Sequence, residues 1–187
     1  MLAERLQTRP WRALTAGWPG YPGAMVSVRA TTPGDAAWIR SFLDQRWGGQ
    51  EQVANGERYR PGDLPGFVAE ADGQIVGYAA LRVVGRTAEI GLIEALQRGR
   101  GIGTALVEAL AAEARARGSR TLRAITTNDN RGAQGFYLAL GFRLVETRLG
   151  AVTESRRLKP QIPLEGADGT PITDELEFEL PLERAAR

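Results

Sequence analysis

The sequence feature that most limits what this chain can fold into is a glycine-rich segment, residues 98–103 (Arg-Gly-Arg-Gly-Ile-Gly), which joins two stretches of different periodicity. Residues 87–95 before it are predicted as a strand that is nearly all apolar at its end. Residues 101–117 after it carry apolar side chains at helical spacing, and Gly118 is a typical helix stop. The segment therefore links a strand directly to a helix.

Similar patterns extend through the chain from residue 26 onward. They predict the order strand, helix, hairpin, strand, helix, strand, helix, strand, strand, which indicates an α/β fold: a single domain whose mixed central sheet is flanked by helices. The predicted strands cover residues 26–28, 67–71, 75–84, 87–95, 122–126, 142–152 and 176–180. Further helices follow the turn at 32–35 and contain Ala133, Phe136, Tyr137 and Leu140. Residues 47–66 support no prediction, and residues 153–173 are predicted to form a long polar loop.

A chain of 187 residues has the usual size of one domain. Residues 1–24 show no sustained period and are predicted to be a tail that is poorly ordered or docks only locally, with residues 25–187 forming the domain. Met25 stands where the regular pattern begins, so it is a candidate for the natural start.

The excess positive charge is concentrated in that tail. Lys and Arg number 24 against 22 Asp and Glu, and residues 1–24 hold Arg5, Arg9 and Arg12 against Glu4 alone, so the remainder is neutral. A neutral domain lacks the basic surface that nucleic acid requires, and we expect no nucleic-acid partner. No apolar run is long enough to span a membrane and the N-terminus lacks the apolar stretch of a secretion signal, so we expect a cytoplasmic protein without a membrane partner.

The chain contains neither cysteine nor histidine. Disulfides, cysteine nucleophiles and thiolate metal sites are therefore excluded, as are Ser-His-Asp triads and an imidazole general base. Nearly all zinc chemistry is excluded with them, and we expect no metal. Any catalysis has to use Asp, Glu, Lys, Tyr or backbone groups.

The glycine-rich segment has the properties of a phosphate-binding loop. Glycines let the backbone approach a bound group closely, and the first free amides of the following helix present positive partial charge. Arg98 and Arg100 add full positive charges, which suit a pyrophosphate or a 3′-phosphate. The glycines alone also fit a simple strand end or close helix packing. The Walker motif does not occur in the sequence, and the dinucleotide fingerprint fits poorly because the third glycine comes one residue early.

Two motifs make the sequence resemble the GCN5-related N-acetyltransferases, which transfer an acetyl group from acetyl-coenzyme A to an amine. The first family motif is Arg or Gln, two residues, Gly, one residue, then Gly or Ala, and it is matched by Arg98, Gly101 and Gly103. The second is matched by Asn130, Ala133, Phe136-Tyr137 and Gly141-Phe142. The resemblance runs from about residue 26 to residue 182 and implies the α/β fold of that family, in an uncharacterised bacterial branch.

The resemblance implies acetyl-coenzyme A as the cosubstrate and assigns residues to it. The main chain of Gly91, Leu92 and Ile93 would pair with the pantetheine arm like an extra strand. The pyrophosphate would lie on the segment after Arg98, which consists of Gly99, Arg100, Gly101, Ile102, Gly103 and Thr104. Asn130 would face the cofactor, and a helix N-cap is the alternative role for this residue.

The resemblance also implies catalytic residues. Tyr137 would protonate the leaving thiolate, with an aromatic core residue as the alternative. An ammonium group has no lone pair, so a base must deprotonate the acceptor, and without histidine a carboxylate is the candidate. Glu89 would be this base, because strand alternation places it on the face of Gly91 and Ile93; an ion-paired strand residue is the alternative. Glu94 is the reserve, on the opposite face unless a bulge intervenes, and without cysteine the transfer is expected to be direct.

The acceptor side is less well defined. By the family pattern Trp47, Tyr59 and the loop 153–173 would line it. Four acidic residues near the last strand could attract a cationic amine: Asp174, Glu175, Glu177 and Glu179. For most of these four, a solvated strand face is the expectation. The predicted reaction is acetylation of a primary amine of a small molecule or peptide. A non-catalytic acyl-coenzyme A sensor and a protein N-terminal or lysine acetyltransferase remain alternatives, and a homodimer remains open.

Overall fold

The computed structural model describes residues 26–182, so the predicted tail 1–24 and the predicted start at Met25 lie outside the described residues. Within them the strands are β1 (Ser27–Ala30), β2 (Gln52–Ala54), β3 (Glu57–Tyr59), β4 (Gly66–Ala71), β5 (Gln74–Val84), β6 (Thr87–Ala95), β7 (Thr121–Thr127), β8 (Arg143–Arg148) and β9 (Glu175–Pro181). The helices are α1 (Ala36–Arg46), α2 (Ile102–Ala116), α3 (Arg131–Ala139) and α4 (Ala151–Leu158). None of the helices in this part of the chain is long and apolar enough to cross a membrane.

Seven of these strands form one mixed sheet in the order β1-β4-β5-β6-β7-β9-β8. β6 and β7 are parallel and are connected through α2, whereas the other neighbours are antiparallel. The β4–β5 hairpin turns at Asp72 and Gly73, whose φ angles are 51° and 73°, as an Asp-Gly pair predicts. The predicted α/β domain with a mixed central sheet is confirmed.

An apolar layer covers each face of this sheet. On one face α2 buries Leu106 and Leu110 against β4, β5 and β6. On the other face α1 buries Phe42 and Leu43 against Tyr78 of β5. Burying an apolar side chain of this size stabilises the fold by about 1.5–3 kcal/mol. The sheet is therefore held rigid from both sides, which fixes the positions of the strand ends.

β6 and β7 part halfway along their length, and this separation positions the site. Their pairing ends where Ile90 lies opposite Ala124. β6 nevertheless continues to Ala95 and β7 to Thr127. Beyond Ile90, the edge of β6 that faces β7 has no strand partner in the described chain.

A β-bulge in β6 lies at the point of separation. Leu81 of β5 pairs with Ile90, and Ala80 pairs with Leu92, which leaves Gly91 as the extra residue. An extra residue reverses the alternation of side chains beyond it. Simple alternation from the sequence is therefore wrong for the second half of this strand.

The bulge corrects the predicted faces of three β6 residues. Ile93 packs against the α2 side of the sheet, whereas Glu89 faces Arg82 on the other side, at 3.3 Å. Glu94 shares the side of Glu89, because its carboxylate contacts Trp47 at the end of α1. The prediction that Glu89 and Ile93 share a face is wrong, and Glu94 is not opposite to Glu89.

The region 47–66, for which the sequence supports no prediction, contains the β2–β3 hairpin, a separate two-stranded sheet. The hairpin turns at Asn55 and Gly56, with φ angles of 54° and 70°, and Asn-Gly is the residue pair that this turn favours. Its two strands have three residues each, and strands this short carry too little alternation to be recognised.

Helix α4 replaces part of a predicted strand and a predicted loop. Instead of a strand over 142–152, β8 ends at Arg148, and the helix begins after Gly150, which has a φ of 72°. The buried residues of α4 are Val152 and Ser155, one turn apart. The helix has only eight residues, most of them polar, and a segment this short is hard to distinguish from a loop by its period.

Candidate active site

A cleft of about 780 Å³ opens where β6 and β7 part. Its walls come from these two strands, the glycine-rich segment, the start of α3, and the β2–β3 hairpin with the end of α1. Its size is that of small-molecule and cofactor sites. Its lining includes these sequence-predicted residues: Trp47, Tyr59, Gly91, Leu92, Ile93, Glu94, Arg98, Gly99, Gly101, Ile102, Gly103, Thr104, Asn130, Tyr137 and Glu175. Among the described residues, Glu89 and Arg100 lie outside this lining.

The open edge of β6 presents main-chain hydrogen-bonding groups to the cleft. The opposite edge is occupied by β5, which pairs with Leu92 and Ile93. Tyr59 already uses one carbonyl of this stretch, because its hydroxyl donates to the oxygen of Gly91 at 2.8 Å. The remaining extended backbone suits an elongated, amide-containing ligand, which can pair with it as an added strand does.

The glycine-rich segment bends sharply before α2. Gly99 and Gly101 have φ angles of 74° and 71°, in the left-handed region that glycine adopts without strain. The amide of Ala105 donates the first helical hydrogen bond, to the carbonyl of Gly101 at 2.9 Å. The amides of Ile102, Gly103 and Thr104 therefore have no partner within the helix and point toward its N-terminal end, as in an anion site.

Gly103 is required by packing rather than by backbone angle. A Cβ built at this position would lie 3.1 Å from the ring of Phe136. Positions 99 and 101 differ, because an added Cβ there would have no described atom within 4 Å. The third glycine thus brings α2 close to α3, while the first two shape the loop.

Asn130 begins helix α3. Its side-chain oxygen accepts a hydrogen bond from the amide of Ala133 at 3.1 Å, which is the N-cap arrangement. The N-cap alternative is therefore confirmed, and the residue also lines the cleft.

The ring of Tyr137 belongs to the core. It is 5% exposed and packs against Phe136, Phe142 and Phe178 with ring centroids 5.3 to 5.8 Å apart. The residue lines the cleft, and among the described residues no group hydrogen-bonds to its hydroxyl. Burial raises the pKa of Tyr137, so its hydroxyl is a proton donor at neutral pH.

Glu89 is buried and ion-paired. It is 4% exposed, and Arg82 donates to its Oε1 at 3.3 Å. Burial raises the pKa of this carboxyl, opposed by Arg82 and Arg123. Arg82 also pairs with Glu57 and stacks over the ring of Tyr59 at 5.0 Å. This environment has the features of the ion-paired strand residue that the sequence left as the alternative.

The acidic residues of the last strand do not all face solvent. Glu175 and Glu177 are each 3% exposed, so the expectation of a solvated face is wrong for these two. Arg123 lies 2.5 Å from Glu177, and Arg148 lies 2.9 Å from it. A signal in the sequence was available: arginines on β7 and β8 stand beside the glutamates of β9 once the three strands are paired.

Tyr59 lies at the centre of this polar region. Burial raises the pKa of Tyr59, and the nearby carboxylates of Glu89 and Glu175 and the hydroxyl of Tyr137 raise it further. These four groups are therefore close enough to influence one another's protonation.

The side of the cleft formed by Trp47 and Tyr59, the predicted acceptor side, is braced by contacts between α1, the β2–β3 hairpin and α4. The ammonium of Lys159, after α4, donates to the carbonyl of Trp47 at 2.7 Å and to Gln52 Oε1 at 2.8 Å. Arg58 of β3 donates to the carbonyl of Leu158 at 2.5 Å. These bonds hold the hairpin in place, but no residue of the predicted loop 153–173 belongs to the cleft lining of the described chain.

Two comparisons at the level of sequence find relatives of this chain. The sequence model of the Acetyltransferase (GNAT) family matches residues 34–142. The chain is 34% identical over 139 residues to the uncharacterised protein YxbD of Bacillus subtilis, and the alignment covers 74% of this chain and 87% of that protein.

Two solved structures have the same fold. The ribosomal-protein-S18-alanine N-acetyltransferase of Escherichia coli has a TM-score of 0.60 at 19% identity, over 87% of this chain and 97% of its own. A GNAT family acetyltransferase of Elizabethkingia anophelis, solved with acetyl-CoA bound, has a TM-score of 0.59 at 19% identity, over 84% of this chain and 98% of its own. With the family match and the Bacillus relative, these findings lead to one conclusion: the chain belongs to the GNAT acetyltransferase family.

Proposed function

We propose that this protein transfers the acetyl group of acetyl-coenzyme A directly to a primary amine of a small molecule. The observation that carries this proposal is the cleft between β6 and β7, which joins an anion-binding loop to a proton-donating tyrosine. Family membership supplies the reaction class, and the E. anophelis relative was solved with acetyl-CoA in place.

The cleft has the features that acetyl-coenzyme A requires. The free amides of residues 102–104 and the guanidinium of Arg98 suit its pyrophosphate. The open edge of β6 suits the two amides of its pantetheine arm. The space beside Gly99 and Gly101, where a Cβ would meet no described atom, leaves room for phosphate oxygens. Once bound, this cosubstrate supplies an activated thioester.

Tyr137 is proposed to protonate the thiolate sulfur as the carbon–sulfur bond breaks. Its ring is held by aromatic neighbours, so the hydroxyl is positioned in advance. Because its pKa is raised, the hydroxyl carries its proton at neutral pH and can donate it to the sulfur as negative charge develops there. The chain has no cysteine to carry the acetyl group, and a direct transfer to the amine in a ternary complex follows.

The walls of the acceptor end favour a small amine over a peptide. Lys159 and Arg58 hold α4 against the start of β2 and against β3, so the hairpin beside the cleft is fixed by its own contacts. A compact amine can enter beside such a wall without displacing it, whereas a peptide chain needs an extended groove.

The test is a turnover assay with acetyl-coenzyme A and a panel of spermidine, lysine, tobramycin and a hexapeptide with a free N-terminus. A thiol reagent measures released coenzyme A without background from the enzyme, because the chain has no cysteine. We expect turnover above the amine-free rate with at least one small amine. Turnover with the hexapeptide alone would contradict the small-molecule assignment. Acetyl-coenzyme A binding without turnover of any amine would contradict catalysis.

A further inference from the structure

We propose that Glu175 is the carboxylate that binds the ammonium group of the acceptor and takes its proton. This inference rests on the proposed function and adds the residue that makes the amine nucleophilic. The glutamate belongs to β9, outside the two motifs by which the chain resembles its family.

Glu175 lies where the cleft meets the polar region. It begins β9, opposite Thr127 at the end of β7, on the other side of the opening from the free edge of β6. Its residue exposure is 3%, yet it lines the cleft together with Tyr59 and Tyr137. A charged group that is almost entirely buried but borders a cavity can act on a ligand there with little screening by water.

Three elements hold the carboxylate of Glu175. Ser155 of α4 donates to its Oε1 at 3.2 Å, and the amide of Asn55 in the β2–β3 turn donates to its Oε2 at 3.1 Å. Arg148 of β8 approaches its Oε2 at 3.6 Å. A carboxylate has about four lone-pair positions, so these contacts orient it and leave capacity for a ligand.

The charge of Glu175 is only partly neutralised. Arg148, its nearest cation, also donates to Glu177 at 2.9 Å and to Glu146 at 3.0 Å. One arginine is therefore shared among three carboxylates. A bound ammonium would complete the balance of charge in this corner of the cleft, which a buried acid requires.

The other two candidate carboxylates are less suitable. Glu94 lines the cleft, but its charge is balanced by a cation of its own: Arg46 donates to its Oε1 at 2.6 Å and pairs with no other carboxylate among the described residues. Glu89 is paired with Arg82 and lies outside the cleft lining among the described residues. Glu175 combines cleft access with a cation that it shares with two other carboxylates.

The proton balance of the step is complete. The carboxylate of Glu175 removes one proton from the ammonium, and the neutral nitrogen then forms a bond to the thioester carbonyl carbon. As the carbon–sulfur bond breaks, the sulfur takes a proton from Tyr137. The nitrogen loses its second proton, which restores the tyrosine, and Glu175 releases its proton to solvent.

The test compares Glu175→Gln with the parent on the best amine of the panel. We expect kcat/KM at neutral pH to fall about a hundredfold or more, with acetyl-coenzyme A affinity and melting temperature unchanged. The difference in kcat/KM between the parent and Glu175→Gln should narrow as pH rises, because more of the amine is already neutral. The titratable and charged groups that face Glu175 are Tyr59 on β3, Arg148 on β8 and, across Arg148, Glu177 on β9. All three are retained in the variant.

Glu179→Gln is the matched control. It neutralises a glutamate of the same strand that bonds to Arg123 at 3.2 Å and does not belong to the cleft lining of the described chain, so parent-like turnover is expected. If Glu175→Gln does not fold, Glu175→Asp retains the charge but withdraws it by one methylene, and a loss of about tenfold or more is expected.

Several results would overturn the assignment. Parent-like turnover in Glu175→Gln, or in Glu175→Asp if only that variant folds, would exclude Glu175 as the base. A loss of kcat/KM in Glu175→Gln that stays constant across pH would indicate a structural role. A loss of turnover in Glu89→Gln, with none in Glu175→Gln, would make Glu89 the base. These results leave the proposed function intact, whereas a parent enzyme that acetylates no amine refutes the proposed function and this inference with it.

Discussion

At the scale of single residues, Tyr137 combines a position in the core with the proposed role of proton donor. The sequence presents an aromatic core residue and a general acid as alternatives, and the two roles are compatible in the fold. The ring is buried among three phenylalanines, while the residue borders the cleft. Dense packing limits the motion of the ring, and a fixed hydroxyl is an effective proton donor.

We expect Tyr137→Phe to lower turnover by about a hundredfold or more, because it removes only the proton donor. Calorimetry should give an unchanged affinity for acetyl-coenzyme A, since the ring and its contacts remain. The melting temperature should also stay the same, because the hydroxyl has no hydrogen-bond partner among the described residues. Full turnover in this variant would leave Tyr137 with a core role alone.

At the scale of elements, the three glycines of the loop before α2 have different physical roles. Gly99 and Gly101 supply left-handed backbone, and Gly103 supplies close contact with Phe136. The interpretation from sequence is that these glycines let the backbone approach a bound group closely, so an added side chain would obstruct that group. For Gly103 the first obstacle is instead an aromatic ring of the neighbouring helix.

We expect Gly103→Leu to lower both the melting temperature and the affinity for acetyl-coenzyme A, because Phe136, which it displaces, also lines the cleft. Gly101→Ala should weaken binding mainly through the loop, since a left-handed conformation costs a non-glycine residue about 1–2 kcal/mol. Gly135→Ala in α3 is the control, because an added Cβ there meets no described atom within 4 Å. Binding by Gly103→Leu equal to that of the control would contradict the packing role.

The start of α1 is held by a polar cluster that lies outside the cleft lining of the described chain. Arg29 of β1 donates two hydrogen bonds to Asp35, each of 2.8 Å, and the amide of Thr32 donates a third at 2.7 Å. Arg29 also pairs with Glu70 of β4. The hydrogen bonds from Arg29 hold the pKa of Asp35 well below its usual range, with a further contribution from Thr32 and against the effect of burial. The cluster therefore joins β1, β4 and α1.

We expect Asp35→Asn to lower the free energy of unfolding at neutral pH by about 1.5–3 kcal/mol, the usual value of a hydrogen bond to a charged group. Because the pKa of the folded state is depressed, the stabilisation is present above the unfolded value near pH 4 and is lost as pH falls toward the folded value. Urea denaturation should therefore show the gap between parent and variant closing below about pH 4. Asp44→Asn, on the exposed side of α1, is the control, and an equal loss in it would contradict the assignment.

At the scale of the whole molecule, the described residues 26–182 already contain a sheet covered on both faces and a complete cleft. Two partly buried residues near the start, Val26 and Val28, pack against the core. We therefore propose that residues 1–24 are dispensable for the fold.

We expect deletion of residues 1–24 to leave the melting temperature and the acetyl-coenzyme A affinity nearly unchanged, because no periodic apolar face is lost. Thermal unfolding and calorimetry of the shortened and full chains test this. Insoluble or unfolded protein after the deletion would show that the removed segment, with Trp11 or Trp18, contributes to the core.

The features that sequence alone predicted correctly are local ones. The strand that becomes β6, the glycine loop and α2 follow from side-chain periods within a few residues of one another, and so does the hairpin turn at Asp72 and Gly73. The cofactor-binding candidates lie in such a continuous stretch, with Asn130 added by the second motif. Local patterns determine local structure, because the same few residues make the contacts that stabilise it.

Only the tertiary structure decided which sides of the sheet the residues of β6 face and what surrounds the glutamates of β9. The bulge at Gly91 follows from pairing with β5 and changes which side Ile93 and Glu94 face. Glu175 is buried because Ser155, Asn55 and Arg148, from three other elements, meet at its carboxylate. A strand of alternating glutamates has the same sequence pattern whether water or such a polar cluster covers its outer face. The covering groups are distant in sequence, and only the folded chain brings them together.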